Sequence, residues 1–429
     1  MRCLADAARS TYDLAVVGGG VMGVWTAIMA RKRGASVLLA DQFAPAHERG
    51  SSHGDGRIYR VAYTEDHYVD MMLRSLPHWH ELETFAAEPL LATTGGINIA
   101  TVGTGRLDSQ ADLFAARGIA HEWLSASQTN ERFPQFRLDN TQHALFQPDF
   151  GVLFASKCVS SAWRYAEHLG VDTMIDFRAS SFFTGENGVI VEGQDGAPIF
   201  ARAAVFAPGA WLSSLTASLF DVHVPTMVTA ETVCYYAPKD TPESAAVDHS
   251  YNSMPVFIPE MTNGLGPFGY YGLPMIDIPG IKCSAHYCGP EVHPDRRPQA
   301  AGGIAPKGNA LYSKEEVAAA AQVDAVVQST SRYVASTFPH VEHRPFLTQS
   351  CLYTTTCDHD YIISRIPGMS NVVLAGGGSG HAFKMGPAIG EGAASLALGQ
   401  EAPLSMDRFA VERLLGGDAR NHNLVADRK

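Results

Sequence analysis

The chain has 429 residues, 46 % hydrophobic and 18 % charged, enough apolar material for two or three folding units at roughly 150 residues each. Its 32 basic against 44 acidic residues give a formal charge of −12, opposite in sign to what phosphate neutralisation demands, so nucleic acid is a poor partner. No apolar run reaches the roughly 18 residues that cross a bilayer, and the start MRCLADAARS resembles no export signal. The expectation is a cytoplasmic protein with no membrane partner.

Seven cysteines, Cys3, Cys158, Cys234, Cys283, Cys288, Cys351 and Cys357, show no CxxC spacing, so no metal is expected and most should be buried thiols. Asp13–Val17 (DLAVV) reads as a strand covered on both faces and runs into Gly18-Gly19-Gly20-Val21-Met22-Gly23, followed by the helical pattern WTAIMARKRG. Gly18 suits the tight turn, Gly20 the approach of a diphosphate, and Gly23 the close packing of helix on strand, with the helix N-terminus facing the anion. A second strand, Ala35–Ala40, ends at Asp41, where a carboxylate can accept hydrogen bonds from a ribose. Strand, glycines, helix, strand and acid in this order point to a dinucleotide without choosing between FAD and NAD.

Arg49–Tyr63 (RGSSHGDGRIYRVAY) packs His53, Asp55, Arg57 and Arg60 into a glycine-rich stretch. Val205–Leu215 (VFAPGAWLSSL) is a strand leading into Pro-Gly-Ala-Trp, with Gly209 and Trp211 in the turn. Lys282 follows Tyr270–Pro274 (YYGLP) among largely apolar neighbours, where burial is costly unless its charge has a task. Ser313–Phe338 reads as a long helix opened by a Ser313 and Glu316 capping box, and 295–311, rich in Pro, Gly and Ala, as an insertion. Asn371–Ala375, the turn Gly376–Gly380 and the helix Pro387–Leu398 repeat the strand, glycine turn and helix logic of the N-terminus. Two glycine turns fit one large cofactor with two ends, and the second helix N-terminus can stabilise negative charge on a reduced ring.

From Tyr12 to Leu398 the chain resembles the monomeric sarcosine oxidase and N-methyl amino acid oxidase group of flavoenzymes. The resemblance rests on GSSHGD-x-R-x-x-R, the VFAPGAW turn, YYGLP with Lys282 and His286, Cys351-Leu352-Tyr353-Thr354, and the GxSGHxFK-like segment Gly377–Lys384. It implies FAD tethered to Cys351 by a thioether, which would make the ring more electron-deficient. It implies Lys282 over the ring as the cation serving oxygen, and Arg60 with Lys384 as a carboxylate clamp. His53, Arg57, Tyr271, His286, Tyr353 and His381 would complete the site, and Ser51, Ser52, Gly378 and Gly380 would line the cofactor. Gly56 stands where sarcosine oxidases carry threonine and Gly378 where they carry phenylalanine, which predicts an enlarged pocket and a substrate bulkier than sarcosine.

The reading is an α/β and α+β protein. A Rossmann-like, discontinuous FAD-binding domain (10–94, 152–222 and 350–400) is joined to a mostly antiparallel substrate domain (95–151 and 223–349), with a C-terminal tail (401–429). The expected activity is oxidation of a secondary amino acid, with hydride passing from the alpha carbon to flavin N5, imine hydrolysis, and reduction of O2 to hydrogen peroxide by a monomer. A dehydrogenase using another acceptor, or a non-catalytic flavoprotein subunit, remain alternatives.

Overall fold

The computed structural model describes residues 12–194, 196, 198–296 and 314–417. Cys3, the insertion beyond Arg296, Ser313, the side chain of its capping partner Glu316 and the last tail residues lie outside the described part. Among the described residues no helix is long and apolar enough to cross a membrane.

The strand Tyr12–Val17 is buried from Leu14 onward and lies in parallel between Val37–Ala40 and Ile199–Phe206. Met369–Gly376 pairs in parallel on the far side of Ile199–Phe206. An antiparallel ribbon, Ala179–Gly185 with Gly188–Gly193, extends one edge, and Asp172–Met174 closes the other. Central strands buried on both faces need helices above and below, and two of these face each other. Gly386–Ala397 packs on Val21–Lys32 so closely that a Cβ on Gly390 would lie 2.5 Å from the Trp25 carbonyl carbon. The small residues of the second helix are what let the two glycine turns open side by side.

The second sheet has eight strands, in the order Leu347–Thr355, Met227–Tyr236, Ile281–Ala285, Tyr270–Leu273, Val256–Pro259, Gly96–Thr101, Gln142–Gln147 and Glu122–Ser125. All pairings are antiparallel except Val256–Pro259 with Gly96–Thr101. Directly opposed residues share a face, so the register Tyr235↔Lys282, Glu231↔Cys351, Thr229↔Tyr353 and Tyr271↔Ser284 gathers the polar side chains on one side. The other side, with Cys234, Tyr236, Cys283, Ala285 and Phe257, packs against Val326, Tyr333 and Val334 of the helix Lys314–Thr337. One face is a core and the other is the floor of a site. A small third sheet, Arg57–Tyr59, Gly151–Leu153 and Leu91–Thr93, bridges the two units.

The strand carrying Cys351 begins at Leu347 and pairs along its whole length with Met227–Tyr236. Residues 350–355, grouped by sequence with the cofactor unit, therefore belong to the second sheet.

Candidate active site

A single cavity of about 490 Å³ runs from the first glycine turn to Cys351, Lys282 and Lys384. Every residue singled out as a site candidate from sequence lines it, with the exception of Gly23. Gly23 lies beneath the turn, where a Cβ would fall 1.7 Å from the Gly18 carbonyl oxygen, so any side chain there pushes helix from strand.

At the first end, Asp41 Oδ2 accepts from the Gly19 amide at 2.5 Å and Oδ1 from the Phe43 amide at 2.8 Å. Burial lifts its carboxyl above the usual range, with both amides opposing the lift. Ser52 Oγ accepts from the Val21 amide at 3.1 Å, at the helix N-terminus where the diphosphate is expected. Trp211 Nε1 donates to Asp295 Oδ1 at 2.9 Å, which anchors the start of the insertion to the second contact turn at Gly209. Arg57 is aimed by two carbonyls, Ser51 O at 3.0 Å and Gly56 O at 2.9 Å. His53 lies between Ser52 and Gly54 on the same wall.

At the other end the floor is the polar face of the second sheet. Lys282 is only 4 % exposed; its Nζ donates to Gly56 O at 3.1 Å and stands 3.5 Å from Asp55 Oδ1. Burial pulls the ammonium below its ordinary value, while the Asp55 carboxylate pulls it back up. The Tyr353 hydroxyl lies 3.1 Å from His286 Nδ1, and the Tyr271 and His286 rings meet edge-on at 5.3 Å. Burial drives the Tyr271 and Tyr353 phenols upward, so both stay neutral donors at ordinary pH.

Above that floor, Lys384 Nζ and Arg60 Cζ lie 5.1 and 5.3 Å from the centre of the same Tyr63 ring. Two buried or half-buried cations against the one Tyr63 ring gather positive charge there. Lys384 Nζ also donates to the His381 carbonyl at 2.7 Å. Both ring nitrogens of His381 are engaged within the protein. Nε2 donates to the His359 carbonyl at 3.1 Å, so neutral Nδ1 is the acceptor for the Tyr361 hydroxyl at 2.7 Å and faces the Tyr63 hydroxyl at 3.3 Å. That arrangement makes His381 a brace for Tyr63 and Tyr361.

The glycine turn Gly377–Gly380 reaches the floor at Gly380, whose φ of +73° excludes other residues comfortably and whose Cβ would overlap the Tyr353 ring at 2.5 Å. Gly56 and Gly378 both line the cavity, but the room for a Cβ at each is limited. A Cβ on Gly56 would lie 2.5 Å from Ile276 Cδ1, and one on Gly378 would meet Ala382 Cβ at 3.1 Å and Met22 Cε at 3.2 Å. Neighbouring side chains fill the room that the glycines vacate.

Three residues outside the sequence-derived set matter here. Asp55 faces Lys282, Tyr235 donates to Asp55 Oδ1 at 2.9 Å, and Tyr63 carries the two cations. Asp55 and Tyr63 sit inside the segment already singled out; Tyr235 carried no local signal, since only sheet register brings it beside Lys282.

The residues present fit a flavin dinucleotide. A helix N-terminus and an acid lie at one end of a continuous cavity, and a second glycine turn, a cysteine and a buried lysine lie at the other. Comparison with known proteins agrees. The profile of the family described as FAD dependent oxidoreductase matches residues 13–396. Peroxisomal sarcosine oxidase of Mus musculus is 30 % identical over 414 residues, covering 93 % of this chain and 97 % of that one. Monomeric sarcosine oxidase of Bacillus sp. (strain B-0618) is 28 % identical over 404 residues, covering 94 % and 96 %. Among solved structures, NikD, an amino acid oxidase essential for nikkomycin biosynthesis, is similar with a TM-score of 0.74 at 23 % identity, covering 94 % of this chain and 98 % of that one.

Proposed function

The chain belongs to the FAD dependent oxidoreductase family, and from that premise we propose that it oxidises a secondary amino acid at the carbon–nitrogen bond with dioxygen as acceptor. The observation that carries this reading is the pair Arg60 and Lys384 converging over Tyr63, beside a floor bearing Cys351 and Lys282. A guanidinium and an ammonium so placed suit a carboxylate, and the phenol-lined floor suits the adjoining amine.

FAD, when bound, supplies the two-electron acceptor and passes the electrons on to oxygen. Arg60 and Lys384 hold the substrate carboxylate and so fix which carbon faces the floor. The Tyr353 hydroxyl and His286 Nδ1, 3.1 Å apart, orient one another on the cavity wall where the amine would lie. The amine loses two electrons and two protons to become an imine; O2 gains the same to become H2O2. Water then adds to the C=N bond, giving a carbonyl and the shortened or ring-opened amine.

Cys351 is the proposed thioether attachment for the flavin ring, and Gly18, Gly20, Asp41, Ser51 and Ser52 the diphosphate and ribose contacts. Candidate substrates are N-methyl amino acids, cyclic ones such as proline or pipecolate, and sugar adducts of amino acids. The experiment is anaerobic bleaching of the yellow protein by an N-alkylated and cyclic amino acid panel, followed by admission of oxygen with peroxide measured. Bleaching with stoichiometric peroxide supports the oxidase. Bleaching with negligible oxygen consumption but fast dye reduction makes it a dehydrogenase. No bleaching by any panel member overturns the reading.

A further inference from the structure

We infer that Asp55 is the positioning residue that aims the Lys282 ammonium, in a hydrogen-bonded row formed by Tyr235, Asp55 and Lys282. The inference deepens the proposal that Lys282 serves the oxygen step, and rests on it.

A lysine stem has four rotatable bonds, so a lysine on a strand reaches a fixed point only if something holds its head. Lys282 and Tyr235 are directly opposed on adjacent strands of the substrate sheet. Asp55 lies on the loop ahead of the strand Arg57–Tyr59, outside the sheet that carries Lys282 and Tyr235. Its Oδ1 receives the Tyr235 hydroxyl at 2.9 Å and the Gly56 amide at 2.8 Å, and stands 3.5 Å from Lys282 Nζ. The side chains of Lys282 and Asp55 are 5 % and 7 % exposed, so solvent screens the pair little.

The loop bearing the carboxylate is itself pinned. The Ala155 amide donates to Asp55 O at 3.3 Å, the Ser156 amide to Gly54 O at 3.0 Å, and the Gly54 amide to Ser156 Oγ at 2.9 Å. The helix Ala155–His168 therefore fixes the loop, the loop fixes the carboxylate, and the carboxylate with the Gly56 carbonyl fixes the ammonium. Arg57, whose charge also acts on the lysine, is turned aside by the carbonyls of Ser51 and Gly56, and Cys351, the other group that acts on it, has no thiol to ionise once it forms the proposed thioether.

A merely structural pair would close the interface between loop and sheet without setting the chemistry of the lysine. Two readouts separate the cases. The first is the titration of Lys282 itself, followed by NMR in holoprotein carrying 13Cε-lysine, its signal assigned by disappearance in Lys282→Met. The second is the pH dependence of reoxidation after anaerobic reduction, relative to that of the reductive half measured with the same amine.

Asp55→Asn should lower the Lys282 midpoint by about one pH unit or more. The fall in reoxidation rate at high pH should shift downward by the same interval, with the oxidative half slowing more than the reductive half. Asp55→Glu keeps the charge but moves it by one methylene; there the midpoint should hold while reoxidation slows severalfold. An unmoved lysine midpoint in Asp55→Asn, or full oxygen reactivity in Asp55→Glu, overturns the assignment. Should Lys282→Met keep its full oxygen rate, the oxygen reading of Lys282 fails and the assignment with it. A slow Lys282→Met beside an unshifted Asp55→Asn overturns the role of Asp55 alone.

Discussion

The Tyr287 hydroxyl donates to the Ser379 carbonyl, and both residues are in the left-handed region, at φ +54° and +44°. Neither residue type favours that conformation, and each such position costs of order 1–3 kcal/mol and persists only where its surroundings over-determine it. Here they do. Tyr287 follows His286 at the end of a substrate-sheet strand, and its ring centre lies 4.0 Å from that of His286 and 5.4 Å from that of Tyr353. Ser379 is in the glycine turn of the other unit, its amide donating to Thr354 O at 2.9 Å and its Oγ to Gly377 O at 3.0 Å. The bond ties floor to ceiling.

Tyr287→Phe keeps the ring and removes only that tie. The Ser379 carbonyl is then left without this donor, and a loss of about 1–3 kcal/mol in urea unfolding is expected. Because the turn it held borders the cavity, the flavin absorbance of the variant should shift as well. Unchanged stability and spectrum would make the contact incidental.

The two cations over Tyr63 give the second expectation. Each contact is worth roughly 0.5–1 kcal/mol at a partly exposed site and more when desolvated, so Tyr63→Leu should weaken a simple carboxylate inhibitor by about tenfold, the equivalent of 1.4 kcal/mol. KM should rise with it. Tyr63→Phe preserves the aromatic face, and since His381 Nδ1 retains the Tyr361 hydroxyl, inhibitor affinity should stay near wild type. Equal losses in both variants would mean that the hydroxyl network, and not the ring, holds the clamp.

Much of this architecture was legible from local pattern. The apolar run into Gly18–Gly23, the acid at position 41, and the second glycine turn with its small-residue helix each obey a short-range rule that survives folding. That helix opens at Gly386, within a residue of the position read from Pro387. What escaped depended on partners distant in sequence. Asp55 and Lys282 are 227 positions apart, and no periodicity announces their meeting. The strand holding Cys351 joins the substrate sheet through register with Met227–Tyr236, a pairing invisible to motif reading. The crowding at Gly56 escaped for the same reason, since Ile276 arrives from a remote loop to the place a Cβ would take.

Gly56→Ala makes that filling measurable. The new Cβ would be 2.5 Å from Ile276 Cδ1 and 3.0 Å from both Leu273 Cδ2 and Val152 Cγ1, an overpacking expected to cost about 1–3 kcal/mol. Ile276→Val removes the offending Cδ1 and should cost about 0.5–1.5 kcal/mol alone as a large-to-small change. Combined, the two should be less destabilising than the sum of the singles, a coupling readable from thermal or urea unfolding of all four proteins. Strict additivity would show that Ile276 is not what occupies the space.

Glu231 gives the last expectation, from a carboxylate that the proposed chemistry leaves unused. It is 1 % exposed and directly opposes Cys351 in the sheet. Oε1 accepts from Thr229 Oγ1 at 2.6 Å, and Oε2 from the amides of Cys288 and Gly289 at 3.2 and 3.1 Å. Burial nevertheless raises its carboxyl above the ordinary glutamate value of 4.5, against the pull of those donors. The folded protein therefore holds this proton more tightly than the unfolded chain. The resulting contribution to stability is full below about pH 4.5, the unfolded value, and is lost as pH rises through the higher folded one. Glu231→Gln can satisfy the same partners, its carbonyl oxygen facing the two amides and its NH2 donating to the Thr229 hydroxyl, which can accept instead of donate. With no charge to bury, the variant loses nothing across that window. Relative to wild type it should gain stability as urea unfolding is moved upward from pH 4.5, levelling off once the folded carboxyl has ionised. A gap that stays constant or closes over this range would mean that the carboxylate is solvated or paired well enough to ionise freely, contrary to its burial beneath Cys351.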